Sequence, residues 1–221
     1  MSLTDCDSNM TWDPKVVNPG SCNEQAIVLE RIFPHTISSV GESDDASVSD
    51  VEDETPRTEF DSHANMAVVG KHAYILNVSG KKARVQPYSP NYKPQDIPIV
   101  DASVMYECPY SGNRVILVMR DALHVKEMVN NLIPPFIMRE AGIQVREIPK
   151  IHMDDPSVED YAIVFKETGL RIPLSLHGIF SCFPTTKPVA SDLNEIDDVY
   201  MLTPPSWKPH NSSYAKKSFL G

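Results

Sequence analysis

From Phe60 onward the chain is built of short apolar runs separated by turn residues, a pattern that predicts strands packed on a common core. Val68-Val69 precedes Gly70, and Tyr74, Leu76 and Val78 alternate along one face. Ser79-Gly80-Lys81 then reads as a hairpin turn leading into Ala83-Arg84-Val85. Two more strands are expected from Ile97 to Met105 and from Arg114 to Met119, around a turn at Tyr110-Ser111-Gly112-Asn113. Within the second, Val115-Ile116-Leu117-Val118 is apolar enough to be buried on both faces. Pro134 and Pro135 suit the first turn of a helix that Gly142 would end. Strands resume at Ile143 to Ile148, Tyr161 to Phe165 and Leu170 to Leu176, with Thr168-Gly169 as a turn. The pattern predicts an all-β domain over residues 57–183 with one short helix.

The flanks read differently. Residues 1–56 form an acidic arm expected to be flexible, except that Gln25 to Phe33 could make a short helix or strand. Between Glu42 and Glu59 stand eight acidic residues and one Arg, too little apolar surface to offset the entropy of ordering. After Pro184 a polar linker, a weak Ile196-to-Leu202 segment and an end rich in Pro, Ser and Lys suggest a linker and disordered tail over 184–221.

Thirty acidic against twenty basic residues give a formal charge of −10, which argues against direct binding to nucleic acid or anionic lipid. The amino terminus has neither a basic region nor an apolar stretch, and no run approaches the length of a membrane span, so a cytoplasmic, soluble chain is expected. Cys6, Cys22, Cys108 and Cys182 are widely spaced and read as reduced thiols, with no zinc motif. His72, His124, His152 and His177 share no spacing with carboxylates that would suggest a metal site. No metal or cofactor is expected.

The candidate chemistry is carried by Asp61-Ser62-His63-Ala64-Asn65. Asp-Ser is also a common turn opener that bonds its own backbone. A serine-hydrolase triad is disfavoured, since consecutive residues of an extended loop point in alternating directions. Hydrolysis by aspartates needs two carboxylates sharing one proton, one as base for water and the other as acid toward the carbonyl oxygen. The loop occurs once, so a partner must supply the second. Asp101, after Ile97-Pro98-Ile99-Val100, is the plausible internal alternative, with a strand-end cap as its ordinary reading; Asp121-Ala122 has a weaker claim.

Asp61-Ser62-His63-Ala64, Leu123-His124-Val125-Lys126, Asn131-Leu132-Ile133-Pro134-Pro135-Phe136-Ile137-Met138-Arg139-Glu140-Ala141-Gly142, Pro149-Lys150-Ile151-His152, Leu170-Arg171-Ile172-Pro173-Leu174 and Gly178-Ile179-Phe180-Ser181-Cys182-Phe183-Pro184 occur in that order. Together they resemble the protease region of copia-type retrotransposon Gag-Pol polyproteins, in particular a microalgal branch with Asp-Ser-His-Ala where retroviruses carry Asp-Ser/Thr-Gly-Ala. The resemblance spans roughly Glu59 to Trp207. It implies a retropepsin-like closed or folded β-barrel acting as a homodimeric aspartic endopeptidase on peptide segments of the polyprotein, in the cytoplasm or a virus-like particle. Asp61 would be the shared general acid/base, Ser62 its supporting hydroxyl and Ala64 the small residue that lets two loops pack. His63 departs from the family's Gly, which implies a re-shaped loop or reduced activity. The resemblance also calls for a flap, with Asn77 to Arg84 around Gly80, read as a hairpin tip that permits bending, as its candidate and the Tyr88-to-Gln95 loop as rival. The alternative is an inactive retroelement remnant serving as a Gag-Pol interaction or structural module.

Overall fold

The computed structural model describes residues 28–30, 55–86 and 93–207. These are mainly β-strand: β1 (Val28–Glu30), β2 (Arg57–Phe60), β3 (Val68–Val69), β4 (Tyr74–Gln86), β5 (Gln95–Glu107), β6 (Arg114–His124), β7 (Asn131–Ile133), β8 (Gln144–Arg146), β9 (Ala162–Val164), β10 (Arg171–Pro173), β11 (Ser175–His177), β12 (Phe180–Pro184) and β13 (Val199–Met201). Two helices, α1 (Pro135–Glu140) and α2 (Ala190–Glu195), are each six residues long. The large sheet runs β1-β4-β5-β6-β3-β7-β2-β12-β11, with β13 paired to β6, and β10-β9-β8 form a second sheet. Among the described residues no helix is long and apolar enough to cross a membrane.

Period-two alternation sorts the apolar residues onto two faces. Val69, Val100 and Ala122 join a core that also takes in Val145, Ile163 and Ile172 of the small sheet, which therefore packs on the large one. Their neighbours Val68, Ile99 and Leu123 face the opposite way, into a smaller cluster with Met66, Ala83, Val85, Ile137 and Trp207. Helix α1 serves both, with Met138 in the first cluster and Ile137 in the second. Val115 to Val118 are buried throughout, as their unbroken apolar run requires. Pro135 occupies the start of α1, and Gly142, at φ +84°, follows its end.

Three expectations change. Ser79-Gly80-Lys81 is not a hairpin tip. Strand β4 continues through it, and the register steps from Val78↔Val100 to Lys82↔Pro98, so three residues oppose Ile99 alone. The positive φ of Gly80, +74°, serves this bulge, and the Ser79 hydroxyl ties it to the Ile99 carbonyl at 2.7 Å. The β4–β5 pairing instead runs on to Val85↔Gln95, and residues 88–92 of the rival Tyr88-to-Gln95 loop lie outside the described residues. Gly80 is therefore not at the tip of a hairpin, where the flap reading placed it.

The second change is at the carboxyl-terminal side, where the expected linker from 184 onward is folded as far as Trp207. Thr186 bridges Met105, β13 lies parallel to Ile116–Val118, and Leu202 and Thr203 are buried. The Thr203 hydroxyl accepts the Arg120 amide at 2.8 Å, so this segment completes a strand edge that β6 would otherwise expose. Helix α2 is the third: a second short helix where one was expected, started by Asp192, whose carboxylate accepts the Val189 amide at 2.9 Å. Of the amino-terminal arm, Val28–Glu30 pairs parallel with Arg84–Gln86, and most of the rest lies outside the described residues.

Candidate active site

Asp61 follows directly on β2, whose Thr58 and Phe60 are buried while Arg57 and Glu59 are partly open. β2 lies parallel to β7, and the Asp61 amide extends that ladder by donating to the Ile133 carbonyl at 3.2 Å. Buried polar side chains tie β2 and β7 to the residues that follow β12 and β3. The Thr58 hydroxyl bonds the Thr185 hydroxyl at 2.9 Å, and Asn131 reaches Thr58 at 3.5 Å while accepting the Gly70 amide at 3.0 Å. Gly70 has to be glycine, because a Cβ there would lie 2.3 Å from the Met128 carbonyl oxygen. Glu59 accepts from Arg57 at 2.7 Å and from Asn130 at 2.9 Å, which fixes the strand's other face.

The loop closes on its own aspartate. Asp61 Oδ1 accepts the His63 amide at 2.9 Å and the Ala64 amide at 3.2 Å, and the side chain remains 27% exposed. Among the described residues both bonds fall on Oδ1. His63 needs no glycine's freedom here, since the described non-glycine residues with positive φ are Asp121 and Tyr161. Its imidazole is 76% exposed, and its backbone N–H donates to the carboxylate at 2.9 Å. The ring's Nδ1 lies 3.4 Å from the Ser62 hydroxyl and 4.0 Å from Asp61 Oδ1. A triad relay uses the two ring nitrogens for its two partners. Here both partners face the same nitrogen, and no relay is formed.

Asp101 and Asp121, unconnected in the sequence reading, meet at the register shift between β5 and β6. Asp101 is not a strand-end cap but sits inside β5, where its carboxylate accepts the Asp121 amide at 3.1 Å and the Asn77 side-chain amide at 3.4 Å. Asp121 takes φ +52°, a conformation Asp tolerates better than most residues. Burial pushes its carboxyl above the usual range, the Trp207 amide pulls it back, the Asp101 charge raises it again, and Lys81 and Arg120 lower it. Along the ladder, β5 is four steps from β2 and β6 is three, roughly 19 and 14 Å at the usual strand spacing. Neither aspartate pairs with Asp61 along this path.

Trp207 was not singled out by its sequence context. Its indole N–H donates to the Asn65 carbonyl in the aspartate loop, its backbone N–H donates to Asp121 at 3.4 Å, and its ring meets Phe136 edge-on at 5.9 Å. It thus pins the end of the Asp61 loop to β6 and α1. Its size was the available signal, since Trp is seldom left in water. No family model, curated protein or solved structure matches this chain.

Proposed function

We propose that the chain is an aspartic endopeptidase of a copia-type retroelement, acting as a homodimer on peptide bonds of a Gag-Pol polyprotein. The reading is supported chiefly by the presentation of Asp61: a part-exposed carboxylate at the end of a buried strand, with one oxygen held by loop amides. One such loop supplies half of a dyad, and a second copy supplies the other half. With one proton between the two carboxyls, the ionised one removes a proton from water as the water oxygen bonds to the scissile carbonyl carbon. The protonated one gives its proton to the carbonyl oxygen. Collapse of the tetrahedral intermediate then breaks the C–N bond, and the departing nitrogen takes up a proton.

The test is cleavage of a precursor polypeptide by wild type and Asp61→Asn. Asn keeps an oxygen to accept the His63 and Ala64 amides, so the fold should be retained while cleavage falls by about 10²–10⁴-fold or more. Undiminished cleavage by Asp61→Asn would eliminate this reading.

A further inference from the structure

Cys108 follows β5 directly and opens the turn into β6. Its amide donates to the Asn113 carbonyl at 2.8 Å and its carbonyl accepts the Gly112 amide at 2.8 Å, so Pro109 to Gly112 form a closed turn. Pro109 presets the backbone at the turn's first position, and Gly112, at φ +69°, ends it. This turn folds its donors onto the sulfur. The Ser111 hydroxyl and the amides of Tyr110 and Ser111 all donate to Cys108 Sγ, and Ser111 Oγ is itself steadied by the Asn113 amide at 3.3 Å. Asp61 is held by the same construction, with amides two and three residues ahead of it. At Cys108 these dipoles, the hydroxyl first, hold the thiol below its ordinary value against the opposing effect of burial. Glu107 and Arg114 pair across the strands next to the turn. Cys108 is part-exposed under an exposed turn and open to a small solute, whereas Cys182 is buried.

Beside the sulfur lies a donor with nothing to donate to. Tyr106 stands two residues before Cys108, on the same face of the chain, and is 1% exposed. Its hydroxyl has no partner in hydrogen-bonding geometry among the described residues. Burial pushes it up to about 12, the neighbouring Cys108 raises it too, and the Arg171 cation of β10 lowers it, so the hydroxyl keeps its proton at neutral pH. Sulfur is a weak acceptor, and an oxygen attached to that sulfur would be a strong one.

We propose that Cys108 is a modification site for hydrogen peroxide, with the Tyr106 hydroxyl as the seat for the oxygen that the sulfur acquires. The thiolate sulfur attacks one peroxide oxygen. An S–O bond forms as the O–O bond breaks, the sulfur gives two electrons to the peroxide, and the departing hydroxide takes a proton from solvent and leaves as water. The sulfenic oxygen then accepts the Tyr106 hydroxyl, which gains the partner it lacks in the reduced protein. The Tyr110 and Ser111 donors hold the thiolate before the step, and Tyr106 holds the product after it.

The test treats the folded full chain with hydrogen peroxide at neutral pH, traps sulfenic acid with dimedone and locates it by mass spectrometry of peptides. The same chain unfolded in urea is the reference for each cysteine. Cys108 should be labelled about threefold faster or more in the folded chain than in the unfolded one, and Cys182 more slowly. Ser111→Ala should bring the Cys108 rate to within about twofold of the unfolded reference, and Ser111→Thr, which keeps a hydroxyl, should restore most of it. Tyr106 is the least of the groups acting on the thiol, so Tyr106→Phe should leave alkylation of Cys108 by iodoacetamide within about twofold of wild type. It should, however, shorten the life of the sulfenic acid about threefold or more, read by adding dimedone at intervals after the peroxide is removed. Circular dichroism should be the same for all. Labelling of Cys108 no faster in the folded chain than in the unfolded one overturns the site. Ser111→Ala reacting like wild type, or a sulfenic acid equally long-lived in Tyr106→Phe, overturns the arrangement proposed around it.

Discussion

Two groups of aspartates lie on this sheet, and they are held in opposite ways. Asp61 is bonded by amides two and three residues ahead of it, so its carboxylate is fixed by its own turn and stays partly open to solvent. Asp101 and Asp121 are bonded from a distance: the Asp121 amide reaches back across 20 residues, and Trp207 reaches Asp121 across 86. Those long-range bonds stitch a bulge to the end of the folded chain and draw Asp121 out of water. A carboxylate whose supports are local keeps room for a substrate. One whose supports come from other strands holds the architecture and has less to offer chemistry.

The largest effect that could break this comparison is catalytic. Asp61→Asn should remove peptide cleavage, whereas Asp121→Asn should leave it within a few-fold of wild type. The reverse result would move the chemistry to the buried pair.

A second test removes the floor of the Asp61 loop. Asn131→Leu is close in volume but withdraws the acceptor of the buried Gly70 amide and a partner of Thr58. Leaving such groups unpaired costs about 1–3 kcal/mol, readable in urea denaturation. A smaller loss would mean that the loop rests on the Thr58–Thr185 contact alone.

The third prediction concerns pH. The folded-state value of Asp121 is raised above the ordinary 3.8, chiefly by burial, so folding favours its protonated form. Its contribution to stability is present below pH 3.8 and is lost as pH rises through the raised value. Asp121→Asn should accordingly flatten the dependence of melting temperature on pH over that window and melt higher than wild type at neutral pH. Asn also suits the positive φ there and can still accept the Trp207 amide. An unchanged pH profile would show that the carboxyl is better solvated than its surroundings indicate.

The smallest effect should be at His63. With its ring exposed and its φ ordinary, His63→Gly should change stability by less than about 0.5–1 kcal/mol, the cost of added backbone freedom. A larger loss in thermal melts would mean that the imidazole contact with Ser62 shapes the turn.

What could be read from sequence follows the same division. The strands β5 and β6 and helix α1 are legible because their signals are local: alternation, an unbroken apolar run, proline at the start and glycine past the end. Gly80 misled because a bulge and a hairpin tip both call for positive φ, and only the pairing of Val78 and Lys82 with β5 distinguishes them. The meeting of Asp101 with Asp121 depends on strand register, which no window of neighbouring residues contains. Trp207 stands among prolines and polar residues that resemble a tail, and its role comes entirely from partners far back in the chain. Asp61 is legible as a turn from its own residues, but as a candidate site only through the resemblance carried by the whole ordered set.

The bond from Trp207 to the Asn65 carbonyl also sets a schedule. The two residues are 142 apart in the chain. At typical synthesis rates of about 5–20 residues per second, Trp207 is made roughly 7–28 s after the loop it pins. Through that interval the nascent chain carries its aspartate turn without the clasp, and β6 without its β13 neighbour. The loop that holds Asp61 therefore gains its last support only once translation has passed Trp207.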